Sequence, residues 1–273
     1  MWKGFNVEID ETFFKEKVSS VHLSRWSEFI ENAKGSRAKL QSDIKTKVVS
    51  GKWVLDGAGI ESNWFPQISN HVFISHSHAD ERLALALAGA LKKWLEIDAF
   101  VDSTIWGHFE DLRNSLFKKF AQGRNLESAE TLKLWNTATA HVHCMLSKSL
   151  IQMIDQCECL IFLNTPSSIS IREITGRVST YSPWIYTELE VSRFLRRRLD
   201  TRRSHTGFLK ESFAMDAAVE QLVAYPLNLN HLSNKTGENI WDWICKGSKA
   251  INKGSGVTEG QQAFRALDVL YAQ

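Results

Sequence analysis

The ten residues His71–Asp80, HVFISHSHAD, constrain the fold of this chain more than any others. Val72, Phe73 and Ile74 form a short apolar run, and at position 75 the pattern turns polar. Ser77 and Asp80 have the spacing of a capping box, which opens a helix. The periodicity predicts that helix over Ala79–Leu95, with Leu83, Leu87, Leu91 and Trp94 in one stripe. Ala99, Phe100 and Val101 then predict a second strand, ending at Asp102. Strand, polar turn, helix and strand make a βαβ unit, so the fold class is α/β with a parallel sheet. In such sheets ligands bind beyond the carboxyl ends of the strands, where His76, Ser77, His78 and Asp102 belong.

Length and composition set the outer bounds. The 273 residues allow one large or two modest domains, and a hydrophobic content of 43% supplies a sizeable core. A net charge of +2 gives no electrostatic reason to expect nucleic acid as a partner. Met1–Ile9 lacks the apolar core of a signal peptide, and the most apolar helical run, Leu83–Leu91, is too short to span a bilayer. The expectation is a soluble, cytoplasmic protein without a membrane partner. Four cysteines in this length do not make a disulfide framework, so reduced thiols are expected. His141, His143 and Cys144, with Cys157 and Cys159, show neither C-x2-C nor H-E-x-x-H spacing, and no metal or other cofactor is expected.

Upstream of the organising strand, Glu11–Val21, Leu23–Ala33 and Ala38–Val49 read as helices and Lys52–Leu55 as a short strand. Gly57-Ala58-Gly59 imitates the start of a dinucleotide fingerprint. Ser62 stands where the third glycine belongs, and Trp64-Phe65-Pro66 argues against a helix opening, so a turn is expected. Downstream, Ser103–Glu110 is a loop, Asp111–Gln122 a helix, 123–140 an insertion with a helical stretch at Ala129–Trp135, and His141–Ile154 a helix. Cys159–Asn164 is apolar on both faces and reads as a central parallel strand. Leu222–Leu229 reads as the last strand, and Asn239–Ile251 and Glu259–Tyr271 as helices. The arginines of Arg193–Arg203 read as a solvated helix end, with phosphate or acidic-partner binding as the alternative.

One carboxylate stands out. Ser182 is a good N-cap and Pro183 suits the first helical position. On that helix Trp184, Glu188, Val191 and Leu195 share an apolar stripe, while Glu190 lies opposite with Arg193 and Arg197. A carboxylate on a buried face needs a partner or a purpose. An internal salt bridge and catalysis are the two readings.

VFISHSHAD, followed by a helix and AFVDS, resembles the start of a Toll/interleukin-1 receptor (TIR) domain. Ser182-Pro183-Trp184-Ile185-Tyr186-Thr187-Glu188 resembles that family's SPW-x3-E helix, and the blocks stand in the family's order with the strand Cys159–Asn164 between them. The resemblance implies a flavodoxin-like TIR domain over residues 69–232, a central parallel sheet flanked by helices, with helical extensions at 1–68 and 233–273. It is to the bacterial members that cleave NAD and act in anti-phage defence, either by depleting NAD or by making a nucleotide signal for a downstream effector. It implies that Glu188 is catalytic and that His76, Ser77, Asp102, Trp106 and Trp184 bind substrate, NAD being substrate rather than cofactor. Core packing is the alternative for Trp106 and Trp184, and capping a turn for Asp102. The loop Ser103–Glu110 matches the one that borders the family's site and mediates assembly, which implies a homo-oligomer through TIR–TIR contacts. Two other functions fit the same motifs: a non-catalytic TIR interaction module, and an enzyme like the nucleoside deoxyribosyltransferases, which use a carboxylate on ribose.

Overall fold

The computed structural model describes residues 3–9, 46–49, 52–102, 106, 109–169, 178–195, 224–252 and 259–272. The predicted βαβ unit is present: β4 (Val72–Ser75), a 3-10 turn (His78–Asp80), α2 (Glu81–Leu95) and β5 (Ala99–Phe100), with β4 and β5 parallel. β4 also pairs in parallel with β6 (Cys159–Asn164), whose first five residues are buried. Two further parallel strands complete a five-stranded sheet in the order β5-β4-β6-β1-β9, where β1 is Lys3–Glu8 and β9 is Ser233–Thr236. Seven described helices flank it. The chain is α/β with a flavodoxin-like sheet.

The strand order departs from the flavodoxin order 2-1-3-4-5 in one respect. β5, β4 and β6 fill the first three places and β9 the last, but the fourth is filled by the N-terminal strand β1. This corrects the expectation that residues 1–68 form a helical extension. Phe5, Val7 and Ile9 alternate with Gly4, Asn6 and Glu8, and Phe5 and Val7 are wholly buried in the sheet. The boundaries expected at 69 and 232 therefore do not separate the sheet, because β1 and β9 lie outside them.

One face of the sheet carries α2, α6 (Gly237–Asn252) and α7 (Glu259–Tyr271), whose Trp243 is fully buried with its indole N–H donating to Ala266 O at 2.7 Å. The expected C-terminal tail is thus part of the core. The opposite face carries α1 (Gly57–Trp64), α3 (Phe109–Ala121), α4 (Ser128–Gln156) and α5 (Pro183–Phe194), packed on Phe73, Phe100, Leu160 and Phe162.

Four further expectations are corrected. Gly57–Trp64 is a helix rather than a turn: the Asp56 carboxylate accepts from Gly59 N at 3.1 Å, and Pro66 falls beyond the helix end, where it does no harm. Residues 46–49, expected to end a helix, form β2 and pair antiparallel with β3 (Lys52–Leu55). Residues 128–140 are no separate insertion; no glycine or proline interrupts positions 128–156, and they form one helix. Among the described residues of Leu222–Leu229 only Tyr225–Pro226 (β8) is strand, paired with β7 (Ser179–Thr180) outside the main sheet. The helices expected over Glu11–Val21 and Leu23–Ala33, and residues 196–203 of the arginine run, lie outside the described residues. Among the described residues no helix is long and apolar enough to cross a membrane.

Candidate active site

After β4 the chain passes to the α2 face, and after β6 it passes to the α5 face. The carboxyl ends of these neighbouring strands therefore diverge, which makes the β4–β6 boundary the topological switch point where α/β sheets bind ligands. Ser75 ends β4, Asn164 ends β6, and Glu188 reaches the same place from α5.

The local sequence explains how Glu188 gets there. The Ser182 hydroxyl accepts from Ile185 N at 3.3 Å and starts α5 with Pro183 at its first position. Ile185, Glu188, Leu189 and Ser192 then form the buried face. Glu188 is 3% exposed, and its Oε2 accepts from Ser75 Oγ at 2.5 Å. Glu190, on the other face, pairs with Arg193 at 3.4 Å as the helical arithmetic predicts. Among the described residues the contact of the buried carboxyl is a hydroxyl rather than a cation.

That environment decides its protonation. Burial pushes the Glu188 carboxyl well above its ordinary value of 4.5, the nearby Asp102 carboxylate pushes the same way, and the Ser75 hydrogen bond opposes both. Glu188 holds its proton to higher pH than a surface carboxyl, and a positive charge placed beside it would release that proton.

His76 and Asp102 stand next to one another. The His76 Nδ1 lies 3.2 Å from Ile74 O, to which it donates, and 3.8 Å from Asp102 Oδ1. The Asp102 carboxylate is near enough to Glu188 to raise its pKa, and His76 stands beside Asp102.

Ser77 has a different task. Its hydroxyl donates to Asp80 Oδ2 at 2.5 Å instead of capping a backbone N–H. The same oxygen accepts from Thr165 Oγ1 at 2.6 Å. Ser168 Oγ in turn accepts from Thr165 N at 2.8 Å and donates to Leu163 O at 2.7 Å. A buried polar latch thus joins the loop after β4 to the loop after β6. Sequence reading missed Asp80 as a shared acceptor, and missed Thr165, Ser168 and Ser75. Only Ser75 left a readable signal, because alternation places it on the same face as Phe73.

The two tryptophans differ. Trp106 takes the core alternative: it is 4% exposed, stands edge-on to Phe65 and Phe100 at 5.6 and 4.9 Å, and donates its indole N–H to Pro66 O at 3.3 Å. Its apolar neighbours outweighed any role in the loop. Trp184, half-buried one turn before Glu188, lies 6.2 Å from Phe109 and 5.7 Å from His143. It ties α5 to the start of α3 and the middle of α4.

The histidines and cysteines do not converge. His143 packs among these aromatic rings, Cys144 is exposed, and Cys157 and Cys159 are buried, where burial pushes the Cys157 thiol up to about 12. Among the described residues no three His, Cys, Asp or Glu side chains are grouped to hold a metal. The arrangement at the switch point is one proton-holding carboxyl steered by a hydroxyl, with a second carboxylate and a histidine at its edge. In its ionised form the carboxyl suits stabilisation of a developing positive charge. Comparison with protein-family models, with curated proteins and with solved structures finds no match to this chain.

Proposed function

We propose that this protein is a TIR-type enzyme that cleaves the nicotinamide–ribose bond of NAD, with Glu188 as the catalytic carboxyl. The observation that carries the reading is the seat of Glu188: a buried carboxyl, held by Ser75, at the switch point of a parallel sheet. The nicotinamide ring of NAD is cationic and leaves with the electron pair of the glycosidic bond as a neutral base. No general acid is required, unlike in the paired-carboxyl glycosidases. Binding the cationic ring beside Glu188 favours loss of the carboxyl proton, and the resulting carboxylate opposes the charge that develops on ribose. Water then captures the ribosyl cation to give ADP-ribose and a proton, or an adenine nitrogen captures it to give a cyclised ADP-ribose, one water less, and a proton.

Asp102 and His76 border this charge and suit a ribose hydroxyl. In a cytoplasmic setting the enzyme would deplete NAD or make a nucleotide signal for an effector in anti-phage defence. The resemblance also favours a homo-oligomer, so activity per molecule is expected to rise with protein concentration.

A second reading has its own support. A carboxyl that holds its proton suits a general acid, which an enzyme acting on N-ribosides with neutral bases would use. The pH dependence separates the two. If the carboxylate form acts, kcat/KM for NAD rises with pH as the free enzyme's Glu188 ionises. If the acid form acts, kcat/KM for nucleosides falls over the same range. Incubating the full chain with NAD and following free nicotinamide by chromatography tests the main reading. Release that is unchanged in Glu188→Gln would exclude it.

A further inference from the structure

The switch point holds two carboxyls in unlike surroundings. Glu188 is 3% exposed and bonded to Ser75. The Asp102 side chain is 37% exposed. β4 and β5 pair Val72 with Ala99 and Phe73 with Phe100. Carried on two positions, that register brings Asp102 beside Ser75, on the sheet face where Phe73 and Phe100 meet α5. One strand spacing, about 4.8 Å, separates such neighbours. Ser75 therefore stands between the two carboxyls, and the Asp102 charge reaches Glu188 from there. The His76 side chain is 2% exposed, and its Nδ1 lies 3.8 Å from Asp102 Oδ1 while donating to Ile74 O.

Two carboxyls, one shielded and one wet, divide naturally between two roles. Glu188 is the one that opposes the charge developing on ribose. Capture of that charge by water makes a second demand. The water becomes acidic as its oxygen bonds to carbon, and a carboxylate within reach of its proton lowers the barrier. A base that gains a proton on every turnover must also return it to solvent. Of the two carboxyls, only the exposed one does so without the site opening.

We propose that Asp102, seated beside Ser75 past the end of β5 and flanked by His76, is the general base that takes the proton of the attacking water, so that this site hydrolyses NAD. The inference rests on the reading of Glu188 as the carboxyl of ribosyl cleavage. Nicotinamide leaves with the electron pair of the glycosidic bond. A lone pair of water forms the new bond to the anomeric carbon, and one water proton passes to the Asp102 carboxylate. The resulting acid gives that proton to solvent. The products are nicotinamide, ADP-ribose and one proton. The alternative role for Asp102 is to hold a ribose hydroxyl, which would serve bond cleavage and water capture alike.

The test separates capture by water from capture by nicotinamide. Nicotinamide attacks through a ring-nitrogen lone pair and loses no proton, so its return to the ribosyl cation needs no base. The full chain and its Asp102→Asn variant are incubated with NAD and isotope-labelled nicotinamide. Label entering NAD and ADP-ribose formed are followed together by chromatography and mass spectrometry. In Asp102→Asn, ADP-ribose formation is expected to fall about 100-fold. Label exchange should stay at the parental rate or above it, because the charge that opposes Glu188 ionisation is gone, and the melting temperature should be kept. Undiminished ADP-ribose formation, exchange that falls with it or is absent from the variant, or a parent that makes only a cyclised product overturns the assignment. If Asp102→Asn does not fold, Asp102→Ser is assayed with added formate, a small carboxylate expected to restore ADP-ribose formation about tenfold. No restoration overturns the assignment as well. Failure of the Glu188 reading has a different signature: exchange and hydrolysis are both absent from the parent, or both survive in Glu188→Gln.

Discussion

At the scale of single residues, Glu188 and Glu190 are the informative pair. They stand two positions apart on one helix, yet one is buried against Ser75 and the other is half-buried beside Arg193. Glu188→Gln is expected to cut nicotinamide release by roughly 10²–10³, whereas Glu190→Gln removes an exposed pair of about 0–1 kcal/mol and leaves the rate nearly unchanged. Parallel rate assays with circular dichroism as the folding check distinguish them. Ser75→Ala removes the one contact that favours the ionised carboxyl, so the acidic limb of the kcat/KM profile should move to higher pH. Stability carries the same sign. The folded protein holds the Glu188 proton above its unfolded value, so stability is fullest below pH 4.5 and declines as pH rises towards the folded pKa. Glu188→Gln should therefore melt higher than the parent at pH 8, and the two should converge near pH 4. The helical face of Glu188 was legible because 3.6-residue arithmetic needs only one element. Its partner Ser75 was not, because pairing across 113 positions depends on the sheet.

At the scale of elements, the latch between the β4 and β6 loops explains why Ser77 resists reading from sequence. Its spacing to Asp80 was visible, but Asp80 is shared with Thr165, 85 residues further on. Removing the shared acceptor in Asp80→Ala leaves two buried hydroxyls without it and should cost about 1–3 kcal/mol, read from urea denaturation midpoints. Thr165→Val removes one of the two bonds and should cost less. The elements that periodicity located well, α2, β6, α5, α6 and α7, each have a long apolar stripe or run. Those it missed are short or polar. β9 reads SNKT and owes its strand conformation to β1 alone, and α1 has its start fixed by Asp56 rather than by an apolar pattern.

At the scale of the whole molecule, the sheet is stitched from both ends of the chain. A fragment covering 69–232 matches the extent of the family resemblance but omits β1 and β9, which exposes one edge of β6. That fragment is expected to be insoluble or unfolded, whereas the full chain melts cooperatively. Size-exclusion chromatography and thermal scanning of both would check it. The interior place of β1 also sets an order of events during synthesis. Its Asn6 bonds to residues 158 and 228 positions later, so β1 waits until the chain has been made through β9 before its second neighbour arrives. Until then Phe5 and Val7 are an apolar ribbon with open hydrogen-bonding edges, a target for chaperones and for other nascent chains. Closing the sheet across that separation is slow by its topology. The buried Asn6 gains its second amide partner only with β9, and a chain that stops short of β9 cannot carry the complete sheet.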